Sequence, residues 1–198
     1  VVLQSQAFFT FLFAAIFLKE SIKRSQMVGL VLAGFGLYLI GGSVGSEGAA
    51  PSIPFGAFLL TLLGAAFWGL SNIVVRYADK QSASHGEKLD MLSLVVWSSL
   101  IPPLPLFAFA ILLDTPKTLL YAIVNLNAIS VFAVLYLALC ATLFGFYTWS
   151  TLLAKYPAGK VAQLSLLVPV AGLVTAQIVL GEQLSKAQWL GCMIIFIG

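Results

Sequence analysis

Charge is the scarcest property of this sequence. Asp, Glu, Lys and Arg make up 9% of its 198 residues against 61% hydrophobic, and the mean hydropathy is +1.04. Soluble domains carry about 25% charged and about 45–50% apolar residues. So few polar groups cannot cover the surface of a water-soluble domain, which excludes a soluble enzyme or binding module. The two cysteines, Cys140 and Cys192, lie inside apolar runs without metal-type spacing. They read as packing residues, and neither a metal nor a cofactor is expected. The single histidine, His85, sits in a polar stretch and reads as a solvated residue. A net charge of +3 is too small to point to nucleic acid. All seven carboxylates (Asp79, Asp90, Asp114, Glu20, Glu47, Glu87, Glu182) fall between apolar runs or at their ends. The runs therefore hold no acid to relay protons in mid-membrane and no Lys to neutralise a phosphate or sulfate. A membrane-embedded enzyme would need a nucleophile with its base, paired acids or metal ligands within the runs, and a retinal protein would need a mid-helix Lys. Neither pattern is present.

What fills the sequence is apolar runs, near 1–18, 27–42, 55–75, 91–113, 128–153, 159–180 and 187–198. About 20 apolar residues cross a bilayer as a helix. Runs this continuous are not the alternating strands of a barrel, so the expected fold is all-α, a polytopic bundle in a lipid bilayer. The run at 27–42 is short and needs Gly41-Gly42-Ser43 or local thinning to span. Pro102, Pro103 and Pro105 are expected to bend the run that holds them. The sequence opens inside an apolar run without a basic leader and stops about a dozen residues into its last run, so an extension is expected at both ends.

Lys and Arg mark orientation. Eight of the ten lie in alternate connections: Lys19, Lys23 and Arg24; Arg76, Lys80 and Lys88; Lys155 and Lys160. The other connections hold Lys117 and Lys186. Short-loop basic bias sets topology, which puts the connections at 19–26, 77–90 and 154–160 in the cytoplasm.

An internal repeat supports this reading. Leu18, Glu20, Gln26 and Gly29 recur as Leu180, Glu182, Gln188 and Gly191, an offset of 162 residues, and Ala14/Ala176 and Gly36/Gly198 extend the match. The offset contains five runs. Copies separated by an odd number of crossings lie upside down relative to each other, and inverted repeats are the mark of secondary transporters. Carrying the offset backwards predicts ten helices in two inverted units of five. On that scheme 1–42 holds the last two helices of the first unit, 43–54 is a linker, and 55–198 is the second unit, its last helix incomplete.

Three stretches carry a resemblance: Val2-Leu3-Gln4-Ser5-Gln6-Ala7-Phe8-Phe9-Thr10; Ser93-Leu94-Val95-Val96-Trp97-Ser98 with Pro102 and Pro105; and Leu164-Ser165-Leu166-Leu167-Val168-Pro169-Val170. With the Leu-Gly-Glu of the repeat, they resemble the EamA family of the drug/metabolite transporter superfamily, and within it the bacterial exporters of cysteine and O-acetylserine. Lys19 departs from the pattern, which has a small residue before Glu. The resemblance implies a ten-helix carrier of the bacterial inner membrane, not an enzyme, that exports small amino-acid-like metabolites by alternating access. A permease for another solute of the superfamily is the alternative. It also implies a central cavity lined here by the runs at 1–18, 55–75, 128–153 and 159–180.

Those are the runs richest in polar side chains, which are costly in hydrocarbon and turn inward. Thr61, Ala65, Trp68 and Asn72 share a helical stripe, as do Ser165, Pro169, Gly172 and Ala176, while Gln6 and Thr10 pair one turn apart. The candidate substrate-binding residues are Gln6, Thr10, Trp68, Asn72, Thr142, Ser165 and Pro169. The lining is polar but neutral, which suits a small zwitterion. Each residue has a second reading. Gln6 and Asn72 fit hydrogen bonds between helices, Trp68 fits packing, and Pro169, which would free the carbonyl of Ser165 beside the substrate, fits a permanent structural kink as well. Glu20 and Glu182 fit either turn organisation or gating, with Ser185 and Gln188 forming a capping box.

Overall fold

Apolar runs in a solvent without water must satisfy their own backbone, and they do so as helices. The computed structural model describes residues 2–21, 23–44 and 54–198, and among these no strand occurs. Residues 45–53 of the expected linker lie outside the described residues. Among the described residues, five helical spans are long and apolar enough to cross a membrane: Arg24–Gly42, Phe55–Ser84, Met91–Leu113, Ala128–Lys155 and Ala158–Leu180. Val2–Phe17 and Lys186–Ile197 are apolar but shorter.

In chain order, a 3-10 turn (Val2–Ser5) leads into α1 (Gln6–Phe17), followed by α2 (Arg24–Val44) and α3 (Phe55–Ser84). Next come α4 (Met91–Ser99), α5 (Pro103–Leu113) and α6 (Pro116–Val124). The segment α7 (Ala128–Tyr136) passes through a π-helical stretch (Leu137–Phe144) into α8 (Gly145–Lys155). The segment α9 (Ala158–Leu164) passes through a 3-10 turn (Ser165–Leu167) into α10 (Val168–Thr175) and a π-helical end (Ala176–Leu180), and α11 (Lys186–Ile197) closes the chain.

Three boundaries differ from the sequence reading. Helix α3 continues through 77–84, which was expected to be loop, because nothing there breaks a helix before Gly86. That glycine, at φ 78°, ends it, with the Glu87 amide donating to the Ser82 carbonyl at 3.0 Å. The run at 91–113 is two helices, since Pro102 and Pro103 cannot donate within a continuous one. The connection at 114–126 contains α6, which the sequence reading did not anticipate.

The chain forms two compact units. One holds residues up to Tyr77 together with Lys155–Gly198, and the other holds Ala78–Ala154. The core of the first unit gathers Ala7, Ala33, Leu37, Ile40, Ala162, Leu166, Cys192 and Ile195. Its many small residues let backbones approach closely, which is how helices associate where no water drives them together.

The landmarks of this unit recur at the offset of 162. A 3-10 turn precedes both α1, which starts at Gln6, and α10, which starts at Val168. Lys19 (φ 52°) and Gly181 (φ 70°) take the same left-handed conformation. The next amide donates back to a matched carbonyl each time, Glu20 to Ala14 at 3.3 Å and Glu182 to Ala176 at 3.5 Å. Then α2 starts at Arg24 and α11 at Lys186, the latter with the capping box of Ser185 and Gln188 in place.

Candidate functional site

Four of the predicted residues meet inside the first unit. Gln6 and Thr10 come from successive turns of α1, Asn72 from α3, and Ser165 from the junction of α9 with its 3-10 turn. They are 0–7% exposed. Gln6 Nε2 donates to Ser165 Oγ at 2.6 Å, and Ser165 Oγ donates onward to the Ala162 carbonyl at 2.6 Å. Asn72 Nδ2 donates to Thr10 Oγ1 at 3.0 Å and to Gln6 Oε1 at 3.3 Å. Thr10 Oγ1 in turn donates to the Gln6 carbonyl at 2.8 Å. The result is a continuous, uncharged hydrogen-bond network that ties three helices together. In a membrane each such bond contributes about 0.6 kcal/mol on average. Its chemical range is that of amide and hydroxyl groups, which donate to a carboxylate and accept from an ammonium without carrying charge themselves.

Small residues make room for this network. A Cβ on Gly69 of α3 would stand 2.8 Å from Phe9 Cβ and 2.9 Å from the Thr10 backbone nitrogen, and one on Gly159 of α9 would stand 3.0 Å from the Phe11 ring. The buried face of α3 is thus Ala65, Gly69, Asn72 and Ile73. The expected stripe shares Ala65 and Asn72 with it, whereas Thr61 and Trp68 point outward, Trp68 being 38% exposed.

Pro169 is half-buried in the first turn of α10. The carbonyl it was expected to free, that of Ser165, accepts from the Val168 amide, because the chain tightens to 3-10 geometry ahead of the proline. The same tightening precedes α1, where Ala7 holds the position equivalent to Pro169, so proline is not its sole cause. On one side of α10, Gly172 and Ala176 line an open apolar groove with Val168, Ala171, Thr175, Val179 and Leu180. Thr142, in the second unit, is half-buried within the π-helical stretch Leu137–Phe144. Such stretches are uncommon and often accompany functional sites.

One pairing had no signal in the sequence. Arg76 Nε lies 3.3 Å from Glu20 Oε1, with the side chains only 12% and 16% exposed. The two are 56 residues apart, and Arg76 counted only as a topology charge. Glu20 also borders a small cavity lined by Phe11, Ala14, Ala15, Ser21, Gln26, Pro157 and Gly159.

Apolar helices, five of the described spans of membrane length, with a buried polar network joining α1, α3 and α9, define a polytopic membrane protein. Residues 55–198 match the EamA-like transporter family, and the chain belongs to that family. It is 39% identical to a probable amino-acid metabolite efflux pump of Escherichia coli K12 and 38% identical to one of Salmonella typhimurium LT2. It is 24% identical to an uncharacterized transporter of Archaeoglobus fulgidus. Each alignment takes in 100% of this chain and 64% of the relative, so the chain spans a little less than two thirds of their length. No solved structure matches it significantly.

Proposed function

We propose that the protein to which this chain belongs exports small amino-acid-like metabolites from the cytoplasm, across the bacterial inner membrane, by alternating access. The observation that carries this reading is the buried, uncharged network of Gln6, Thr10, Asn72 and Ser165 between α1, α3 and α9. Amide and hydroxyl groups match the carboxylate and ammonium of a zwitterion, and with no cation in the network it offers no counter-charge to a phosphorylated solute. The names of the two bacterial relatives, probable amino-acid metabolite efflux pumps, support the same solute class. Cysteine and O-acetylserine are the narrower reading. In this scheme Trp68, Thr142 and Pro169 lie along the solute's path, and ten helices form two inverted units of five.

The test is efflux from bacterial cells expressing the full-length protein, following cysteine, O-acetylserine and a panel of other amino acids. Gln6→Ala and Asn72→Ala are expected to raise the KM of the exported solute about tenfold, the loss of one hydrogen bond to a charged group. Unchanged kinetics in both folded variants would remove the network from the binding site. Efflux of no amino acid by the folded wild type would move the function to another solute of the superfamily.

A further inference from the structure

The most extensive helix–helix contact in the first unit is between α2 and α11, and it is built from repeated glycines. A Cβ on Gly36 would stand 2.7 Å from the Gly191 carbonyl oxygen, and one on Gly191 would stand 2.7 Å from the Gly36 carbonyl oxygen. Two turns away, Gly29 and Gly198 meet in the same way, a Cβ on Gly198 standing 2.9 Å from the Gly29 carbonyl oxygen. Position 29 faces 198 while 36 faces 191, so the two helices run antiparallel. Ala33, Leu37, Ile40, Cys192 and Ile195 are buried around this contact.

The offset of 162 relates these contacts to each other. It carries Gly29 to Gly191 and Gly36 to Gly198, so the pair Gly29/Gly198 becomes the pair Gly191/Gly36, which is the other contact. The interface is its own image under exchange of the two copies. The shared helix starts, left-handed turns and matched amide–carbonyl bonds show that the register is structural and not a chance of composition. In an inverted-repeat transporter the outward and inward states arise as each copy takes up the other's conformation. A contact that maps onto itself under that exchange has the same geometry in both states. A contact without this property, such as Gln6 with Ser165, is free to differ between them.

We propose that the glycine contact of α2 with α11 is the fixed axis of the transport cycle, the pair about which the two halves rock without parting. This rests on the alternating-access reading above. Backbone-to-backbone glycine packing suits an axis, because it has no long side chains to repack and tolerates little change in separation.

The test uses the full-length protein with Cys140→Ser and Cys192→Ser, and a cysteine pair at the rim of the contact, Leu32→Cys with Ile197→Cys. A reducible thiol cross-linker then ties α2 to α11. Transport by the cross-linked protein at the rate of the uncross-linked protein is the expected result. Loss of transport on cross-linking, recovered on reduction, would overturn the proposal. A second readout is independent of the solute: spin labels at the exposed positions Val31 and Met193. One narrow distance, the same in detergent and in bilayers and with or without amino acids, is expected. Two resolved distances would show that the pair moves. If the uncross-linked protein transports no amino acid, the exporter reading fails, and the spin-label distances still judge the axis.

Discussion

Lys19 is the described non-glycine residue with a left-handed backbone, φ 52°, and its counterpart is Gly181 at φ 70°. A side chain in that conformation costs about 1–2 kcal/mol, a cost that Gly181 avoids in the second copy. Lys19→Gly is expected to stabilise the protein by about 0.5–1 kcal/mol, the strain relieved less the extra freedom of glycine in the unfolded chain. A higher melting temperature in detergent micelles is the measurement, and a lower one would locate the strain elsewhere. Asp90 caps α4, accepting from the Leu92 amide at 3.0 Å and from Ser93 Oγ at 2.6 Å. These hydrogen bonds, Ser93 first and Leu92 next, lower its pKa below the ordinary 3.8. A depressed carboxylate pKa gives stability that is present above the unfolded value and lost as pH falls through the folded one. The start of α4 should therefore fray only below pH 3.8. Asp90→Asn, which keeps a capping oxygen without the charge, should abolish that pH dependence in amide exchange at Leu92. At this scale the buried network was legible where chemistry is costly. Gln6, Thr10, Asn72 and Ser165 stood out because polar groups in hydrocarbon need partners. Arg76 did not, because a cation at the end of an apolar run already has an explanation in topology.

Helix phase was the harder inference. Ala65 and Asn72 are common to two stripes of α3, one through Trp68 and the other through Gly69, and residues one position apart differ by only about 100° around the axis. The sequence reading followed the larger, more polar side chains, but the glycine marks the face that α1 touches. Gly69→Leu should separate α1 from α3, destabilise the protein by about 1–3 kcal/mol as overpacked cores do, and weaken transport together with stability. A denaturation curve in detergent, set beside efflux, reads both, and full stability in the variant would mean that the two helices are not packed through Gly69. Loop lengths failed for a related reason. Residues 77–84 are polar, which signals the end of a membrane run, yet they contain no helix breaker, so α3 runs on through them.

For the whole molecule, the distribution of Lys and Arg predicts that 85–90, the loop after α3, faces the cytoplasm. A tag inserted there should be labelled only after the cells are opened, and labelling of intact cells would reverse the assigned orientation. All-helical architecture and membrane residence rest on composition and run length, membership of the transporter family on the stretches that resemble it, and the structure and the relatives agree with them.

Read alone, the sequence determined that this chain is a bundle of membrane helices with neutral polar positions and an internal repeat. The helices and their neutral polar positions follow from what each residue costs in hydrocarbon, and that cost is local, while the repeat follows from comparing the sequence with itself. Tertiary structure decided which polar residues share one network, which glycine faces which helix, and that the repeat's glycines meet each other across α2 and α11. These depend on the rotation and distance of helices far apart in the chain, which packing sets and local periodicity does not.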